Sequence, residues 1–259
     1  LPTIEQNLAV WDAAYDWTFR GEEWSLAWGG AEQEWNASIA PRIRRFLPSR
    51  RALEIGSGFG RWTSFLKDSA AELTLVDVSQ KCLDACRERF GTAGKIHYLL
   101  TDGRSLPVPE QSIDFVFSFD SLVHAEADVM QSYVRELARI LAPDGVAFLH
   151  HSNIGEYSPL PFKLGRIPLL VRSGLAETSD GWRARSVTAE RMRRWTEGMG
   201  LACVTQELIN WGTRRLIDCI SVIARPGSLH DRRRAIIRNP HFRCEAASAR
   251  VISDLYGGG

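Results

Sequence analysis

The sequence has almost no net charge, no long apolar run and no cysteine pairing pattern, and each shortage excludes a class of protein. Its 32 basic side chains nearly cancel 31 acidic ones, leaving +1 at neutral pH. The chain therefore offers no general electrostatic attraction to nucleic acid. The longest apolar stretches, around 113–119 and 167–171, fall far short of the roughly 20 residues needed to cross a bilayer. No membrane partner is expected. Five cysteines, Cys82, Cys86, Cys203, Cys219 and Cys244, include no CxxC pair, which favours reduced thiols over a disulfide framework or a zinc site. No basic segment followed by an apolar stretch opens the chain, so a cytoplasmic location is the expectation. Repeats and low-complexity tracts are missing too.

What is present is an ordinary globular composition, with 44% hydrophobic and 24% charged residues over 259 positions, enough for one large domain with additions. Residues 51–151 alternate short apolar runs with helical patterns, the signature of a parallel sheet with crossover helices. Strands are expected at 51–55, 73–76, 96–100, 113–119 and 146–150. Between them, Cys82, Leu83, Cys86 and Phe90 share one helical face behind a capping Ser79. Val129, Met130, Tyr133, Val134, Leu137, Ile140 and Leu141 form a second such face, stopped by Pro143, Asp144 and Gly145 in turn chemistry. Runs at 201–208 and 216–223 read as a late hairpin. The fold class is therefore α/β, a Rossmann-like doubly wound, mainly parallel seven-stranded sheet with a C-terminal antiparallel hairpin.

Around this core at 51–151 the chain divides further. Residues 1–50 read as an aromatic-rich helical cap holding five of the nine tryptophans, Trp11, Trp17, Trp24, Trp28 and Trp35; these either cover the crevice at the sheet edge or form core for N-terminal helices. Residues 152–187, broken by Pro159, Pro161, Gly165, Pro168 and Gly174, read as a substrate-binding insertion or lid. A helix and hairpin at 188–225 complete the sheet, and 226–259 reads as a basic, solvated, partly frayed tail.

The chemistry concentrates where the first strand ends. Glu54, Gly56, Gly58 and Gly60 stand where a backbone must turn tightly and approach a ligand. Asp77 closes the second strand 21 positions after Gly56, where a carboxylate can accept from ribose hydroxyls. Loop, acid and βα pattern together indicate a nucleoside-containing cofactor. The dinucleotide fingerprint GxGxxG would need glycine at position 61, which is Arg61.

The run ExGxGxG instead resembles motif I of the class I S-adenosylmethionine-dependent methyltransferases. Asp77 matches their ribose-binding acid, Asp102-Gly103 their pair beside the adenine, 114–120 their fourth motif and 141–145 the turn before strand five. The resemblance implies S-adenosyl-L-methionine as cofactor, with Glu54 orienting the loop or meeting the methionyl amine and the glycines facing the methionine portion. Phe119, Asp120 and Ser121 would flank the sulfonium, and Ser57, Trp62 and Val78 would complete the cofactor site. It further implies methyl transfer by in-line displacement, in which aligning the acceptor can supply about 7–11 kcal/mol in favourable cases.

An alcohol acceptor must also lose a proton, so O-methylation calls for a base. His124, His150 and His151 follow strands four and five, at the strand ends where open α/β sheets bind ligands; strand alternation aims His150 and His151 to opposite sides. Asp120, Glu126 and Asp128 lie near His124 and could hold Mg2+, Asp120 first among them, although carboxylates in a helix's first turn also suit its dipole without a metal.

The stretches 148–153, 182–186 and 210–212 resemble bacterial sugar O-methyltransferases. On that resemblance Asn153, Tyr157, Trp182, Arg185 and Trp211 would bind the acceptor, a small molecule or oligosaccharide, with indoles stacking on sugar faces. A hydroxyl of a sugar or glycoside is the expected target. An N- or phenolic O-methyltransferase is the alternative, since it would share every cofactor residue.

Overall fold

The computed structural model describes residues 2–92, 94–157, 182–211, 214–232 and 234–256. Most of the expected insertion, including Pro159, Pro161, Gly165, Pro168 and Gly174, lies outside the described residues, as does Gly212.

Among the described residues eight strands form one sheet: β1 Ser49–Ile55, β2 Ala70–Asp77, β3 Ile96–Leu100, β4 Ile113–Ser118, β5 Leu141–Ser152, β6 Ala202–Ile209, β7 Asp218–Ala224 and β8 Ala235–Asn239. Their order is β3-β2-β1-β4-β5-β7-β6-β8. All neighbours are parallel except β7, which runs antiparallel to both β5 and β6. The α/β Rossmann-like class follows directly, because parallel strands need helical crossovers.

Alternation along the strands splits the core in two. Phe115, Phe117, Val146 and Phe148 join one buried cluster with Leu83, Cys86, Trp35 and Ile39. Val116, Ala147 and Leu149 join another with Val134, Leu137 and Met192. Successive side chains of a strand point to opposite faces, so the sheet is covered on both. The helix Gln80–Phe90 starts at Ser79, whose hydroxyl accepts from the Cys82 amide, and the helix Ala189–Gly198 starts at Thr188, which accepts from Arg191. Each cap satisfies an amide left unpaired by the first turn.

Three expectations need correction. Leu141 is not the end of the preceding helix, which stops at Ile140, and residues 142–145 are not a separate turn before the fifth strand: all belong to β5, and the pairing with β4 shifts there from Ile113–Leu141 to Phe115–Val146. Extra residues on one strand loop outward as a bulge, which leaves Pro143 and Asp144 exposed. The sheet also has eight strands rather than seven, because the tail is not a free extension.

The tail's attachment is ionic and aromatic. The Arg42 guanidinium donates to Glu207 on β6 at 2.6 and 2.7 Å and to Glu245 at 2.8 and 2.9 Å. Asn239 donates to the same two carboxylates. Phe242 is fully buried, with ring centroids of Trp28, Trp211 and Phe119 each 6.2 Å away. Truncating a buried phenylalanine typically costs about 3–5 kcal/mol. Phe242→Ala is accordingly expected to lower the unfolding free energy by that amount, read as a fall in the denaturant midpoint at unchanged m-value, whereas a frayed tail would leave it unchanged.

Candidate active site

The carboxyl ends of β1, β2 and β4 open into a cavity of about 570 Å3, within the range of sites for one small ligand and its partner. Its floor is Gly56, Ser57, Gly58, Asp77, Val78, Thr101 and Gly103; Phe119–Ala125 form one wall, and Asn7, Trp11, Trp17 and Trp24 of the N-terminal segment form another. The position follows from topology: β1 lies between β2 and β4, and the crevice opens where connections leave in opposite directions.

The glycine loop has no room for side chains. Gly56 sits at φ +73°, and a Cβ there would lie 1.8 Å from the Ser121 hydroxyl oxygen. At Gly58, φ +52°, it would meet the Trp17 ring at 3.0 Å. Asp77 accepts from the Gly58 amide at 3.0 Å and the Ser79 amide at 2.9 Å, which ties the acid of β2 to the loop of β1. This bare backbone floor beside a ribose-type acid is what a nucleoside cofactor with a charged tail requires.

Burial pushes the Asp77 carboxyl up to about 6, against the pull of its amide donors. Hydroxyl donors favour the ionised carboxylate, so cofactor affinity should weaken as pH falls below about 6. Asp77→Asn should weaken S-adenosylhomocysteine binding about 10- to 100-fold, the scale of about 1.5–3 kcal/mol for hydrogen bonds to a charged group. Calorimetry at two pH values checks both.

The other expected cofactor residues are placed differently. Ser57, Trp62, Val78, Gly103, Phe119, Asp120 and Ser121 line the cavity. Glu54 is buried behind it, where the Thr63 hydroxyl donates to it at 2.6 Å and burial raises its carboxyl to about 8. That geometry fits orientation of the loop rather than contact with the amine. Gly60 packs on Phe90. Asp102 does not line the cavity; it accepts from the amides of Arg104 and Ser105 and the Ser105 hydroxyl, which hold its carboxyl down at about 2.

Of the three histidines, only His124 lines the cavity. Its Nδ1 lies 3.1 Å from the Trp182 carbonyl oxygen. A carbonyl can only accept, so Nδ1 carries the proton and Nε2 keeps the lone pair. Burial pushes its pKa down to about 4, so the ring is neutral at physiological pH. Trp182 is pinned for this contact at φ +63°, with its indole N–H donating to Asn7 at 3.1 Å.

His151 points away from the cavity: it is fully buried, with Nδ1 2.9 Å from the Ser152 carbonyl and Nε2 2.8 Å from the Ser221 hydroxyl. Both nitrogens are engaged, so His151, expected as a base, has no free nitrogen to offer the cavity. His150 faces the other side of β5 but stops short of the cavity, between Asp120 and Asp218.

The expected acceptor residues divide likewise. Trp211 lines the cavity and stacks on His150 at 5.4 Å. Asn153 does not; it donates to the Leu216 carbonyl and accepts from the Ala189 amide, locking β5 to the elements beyond it. Tyr157 accepts from the Leu216 amide at 3.2 Å, and the Arg185 amide donates to Glu126. These three hold the frame. The proposed Mg2+ ligands are likewise not gathered: Asp120 pairs with Arg61 at 2.6 Å, Glu126 accepts from Ser186, and Asp128 pairs with Arg104. Among the described residues no three His, Cys, Asp or Glu side chains converge to hold a metal.

Sequence reasoning missed Arg61, Asp218 and Glu34. Arg61 lines the cavity between the rings of Trp62 and Trp24, 4.3 and 5.2 Å from its guanidinium. Asp218 is fully buried and takes both forks of Arg183 at 2.6 Å. Its signal was a carboxylate at the head of an otherwise apolar strand.

Comparison with known proteins agrees with this geometry. Residues 52–145 match the family described as a methyltransferase domain. The biotin biosynthesis bifunctional protein BioHC of Cellvibrio japonicus is 33% identical over 116 residues, 43% of this chain and 22% of that protein. The malonyl-(acyl-carrier protein) O-methyltransferase of Serratia marcescens is 30% identical over 99 residues, 38% of this chain and 37% of that enzyme. Both matches thus span less than two thirds of the relative. An S-adenosylmethionine-dependent methyltransferase structure from Mesorhizobium loti has the same fold, with TM-score 0.55 and 20% identity over 74% of this chain and 98% of that one. The chain thus shares the fold of a solved S-adenosylmethionine-dependent methyltransferase, and its residues 52–145 are similar to a methyltransferase domain. Its core at 52–145 is the region in which the cofactor loop, Asp77 and His124 all lie.

Proposed function

We propose that the protein is an O-methyltransferase that methylates a hydroxyl of a sugar or glycoside, with His124 as the base. The observation that carries this reading is the neutral His124 ring on the cavity wall, beside the cofactor loop and facing a lining rich in indoles, Trp11, Trp17, Trp24 and Trp211. Bound S-adenosylmethionine would supply a methyl group already activated by the positive charge on sulfur. Gly56, Gly58 and Asp77 would hold it, and the indoles would exclude water and stack on the apolar face of a sugar ring. His124 Nε2 would take the hydroxyl proton as oxygen attacks. The relative named as an O-methyltransferase supports an oxygen acceptor.

The same indole lining would stack a planar phenol, which keeps the phenolic reading as the competitor. Release of S-adenosylhomocysteine, followed by mass spectrometry across sugars, glycosides, phenols and amines, decides between them. Release with sugars or glycosides is expected. Release with phenols or amines alone would retain the cofactor site and overturn the acceptor. Binding of NAD(P)H in preference to S-adenosylmethionine would overturn both.

A further inference from the structure

Behind the cavity wall the buried charges form one connected array, and His150 stands at its centre. Its Nδ1 lies 3.2 Å from the Asp120 amide nitrogen and 3.3 Å from Asp120 Oδ1; its Nε2 lies 3.4 Å from Asp218 Oδ2. Outward from Asp120 the array continues to Arg61 at 2.6 Å and from there to the Ser25 hydroxyl at 2.9 Å. Outward from Asp218 it reaches Arg183. Arg61 and Arg183 both line the cavity, so the two ends of a buried array surface at the site. The ring is clamped by Phe119 at 4.5 Å and Trp211 at 5.4 Å, so it has little freedom to turn.

Asp120 needs such support. It holds φ +64°, a left-handed conformation unfavourable for a residue with a Cβ. It stands between Phe119 and Ser121, and Ser121 packs directly over Gly56. Any shift of Asp120 therefore moves the backbone that faces the cofactor loop.

We propose that His150 is a positioning residue, a strut joining the loop after β4 to the head of β7 and thereby holding Asp120 and the cavity-lining Arg183 in place for methyl transfer. The proposal rests on the methyltransferase reading only for its turnover readout.

The strut has a charge signature. The groups acting on His150 are Asp120 from the segment after β4, Asp218 from β7, Glu34 from the N-terminal helical segment and its neighbour His151, with Arg61 and Arg183 paired to the two aspartates behind them. Burial and Asp120 raise Glu34 to about 8, so it is uncharged at neutral pH. Burial pulls the His150 pKa down, but Asp120 and Asp218 outweigh it and the net direction is upward. The charged ring lies within ion-pair range of both carboxylates, 3.3 Å from Asp120 at Nδ1 and 3.4 Å from Asp218 at Nε2, although Nε2 makes no hydrogen bond. On deprotonation both ion pairs are lost, and the Asp120 amide's hydrogen bond to Nδ1 is what remains. A strut therefore weakens as pH rises through the raised pKa, whereas a base gains activity on losing its proton.

The test uses His150→Gln, whose amide can still donate and accept, and His150→Leu, which can do neither. His150→Leu is expected to lower kcat about 10- to 100-fold, the cost of a displaced reacting geometry, with a smaller change in acceptor KM. His150→Gln is expected to recover most of kcat and to lose the alkaline decline of the wild type. Nitrogen-15 NMR of the imidazoles in the whole protein should show His150 titrating above the ordinary histidine range, and lower again in Asp218→Asn. Removing one partner of a buried ionic set is destabilising; if His150→Leu does not fold, His150→Gln and the titration decide. Titration at or below the ordinary range would overturn the strut, as would a His150→Gln variant as inactive as one lacking a base. If the wild type methylates no acceptor, the methyltransferase reading fails while the titration still judges the strut.

Discussion

Gly56→Ala is expected to lose S-adenosylhomocysteine binding by at least about 100-fold while remaining folded. The added methyl would lie 1.8 Å from the Ser121 hydroxyl oxygen, and the residue would keep φ +73°. Left-handed backbone costs a residue with a Cβ about 1–2 kcal/mol; the clash adds displacement of Ser121, which forms the facing wall. Neither change touches the two core clusters, so the cost should fall on the site. Calorimetry with S-adenosylhomocysteine, alongside a thermal melt, separates the two. Unchanged affinity would remove the glycine loop from the cofactor site.

The second large effect is at His124. His124→Ala should lower turnover about 10²- to 10⁴-fold, the usual contribution of a positioned base, and leave S-adenosylhomocysteine affinity near its original value. The pH profile supplies a check with a definite sign. Burial depresses the pKa to about 4, so the ring is a competent acceptor at all higher pH, and activity governed by it should fall only as pH drops toward 4. With S-adenosylmethionine saturating, so that Asp77 does not shape the profile, an acid limb of kcat centred well above that value, or a variant that loses cofactor binding instead of turnover, would assign His124 to the scaffold.

Much of the fold was legible because local chemistry and tertiary structure agree there. The helix Ala127–Ile140 presents Val129, Met130, Tyr133, Val134, Leu137 and Ile140 on one buried face, as its spacing required. The run ExGxGxG could be placed at a strand end because each glycine answers a local steric demand. The tail was misread for the opposite reason. Ala235–Asn239 is short and set among arginines, and its two isoleucines remain exposed even in the folded sheet. What holds it is Arg42, 203 positions before Glu245 in the chain, and such pairing leaves no trace in local periodicity.

The histidines show the same boundary. Alternation along β5 required His150 and His151 to face opposite ways, and they do. Which of them approached the cavity depended on β7, whose Ser221 engages one and whose Asp218 engages the other. Asn153 and Tyr157 were read as acceptor contacts because polar residues after a strand often serve ligands; here the Leu216 backbone takes them first.

By itself the sequence determined a two-sided parallel sheet, the glycine loop with Asp77 and hence a nucleoside cofactor, since these depend on contacts within a few tens of residues and on backbone sterics. Only the tertiary structure decided that Trp11, Trp17 and Trp24 roof the cavity, that the tail supplies an eighth strand, and that His124 rather than His151 meets the site. Those outcomes rest on pairings between residues far apart in the chain, where burial and charge select one partner among many that local pattern leaves equivalent.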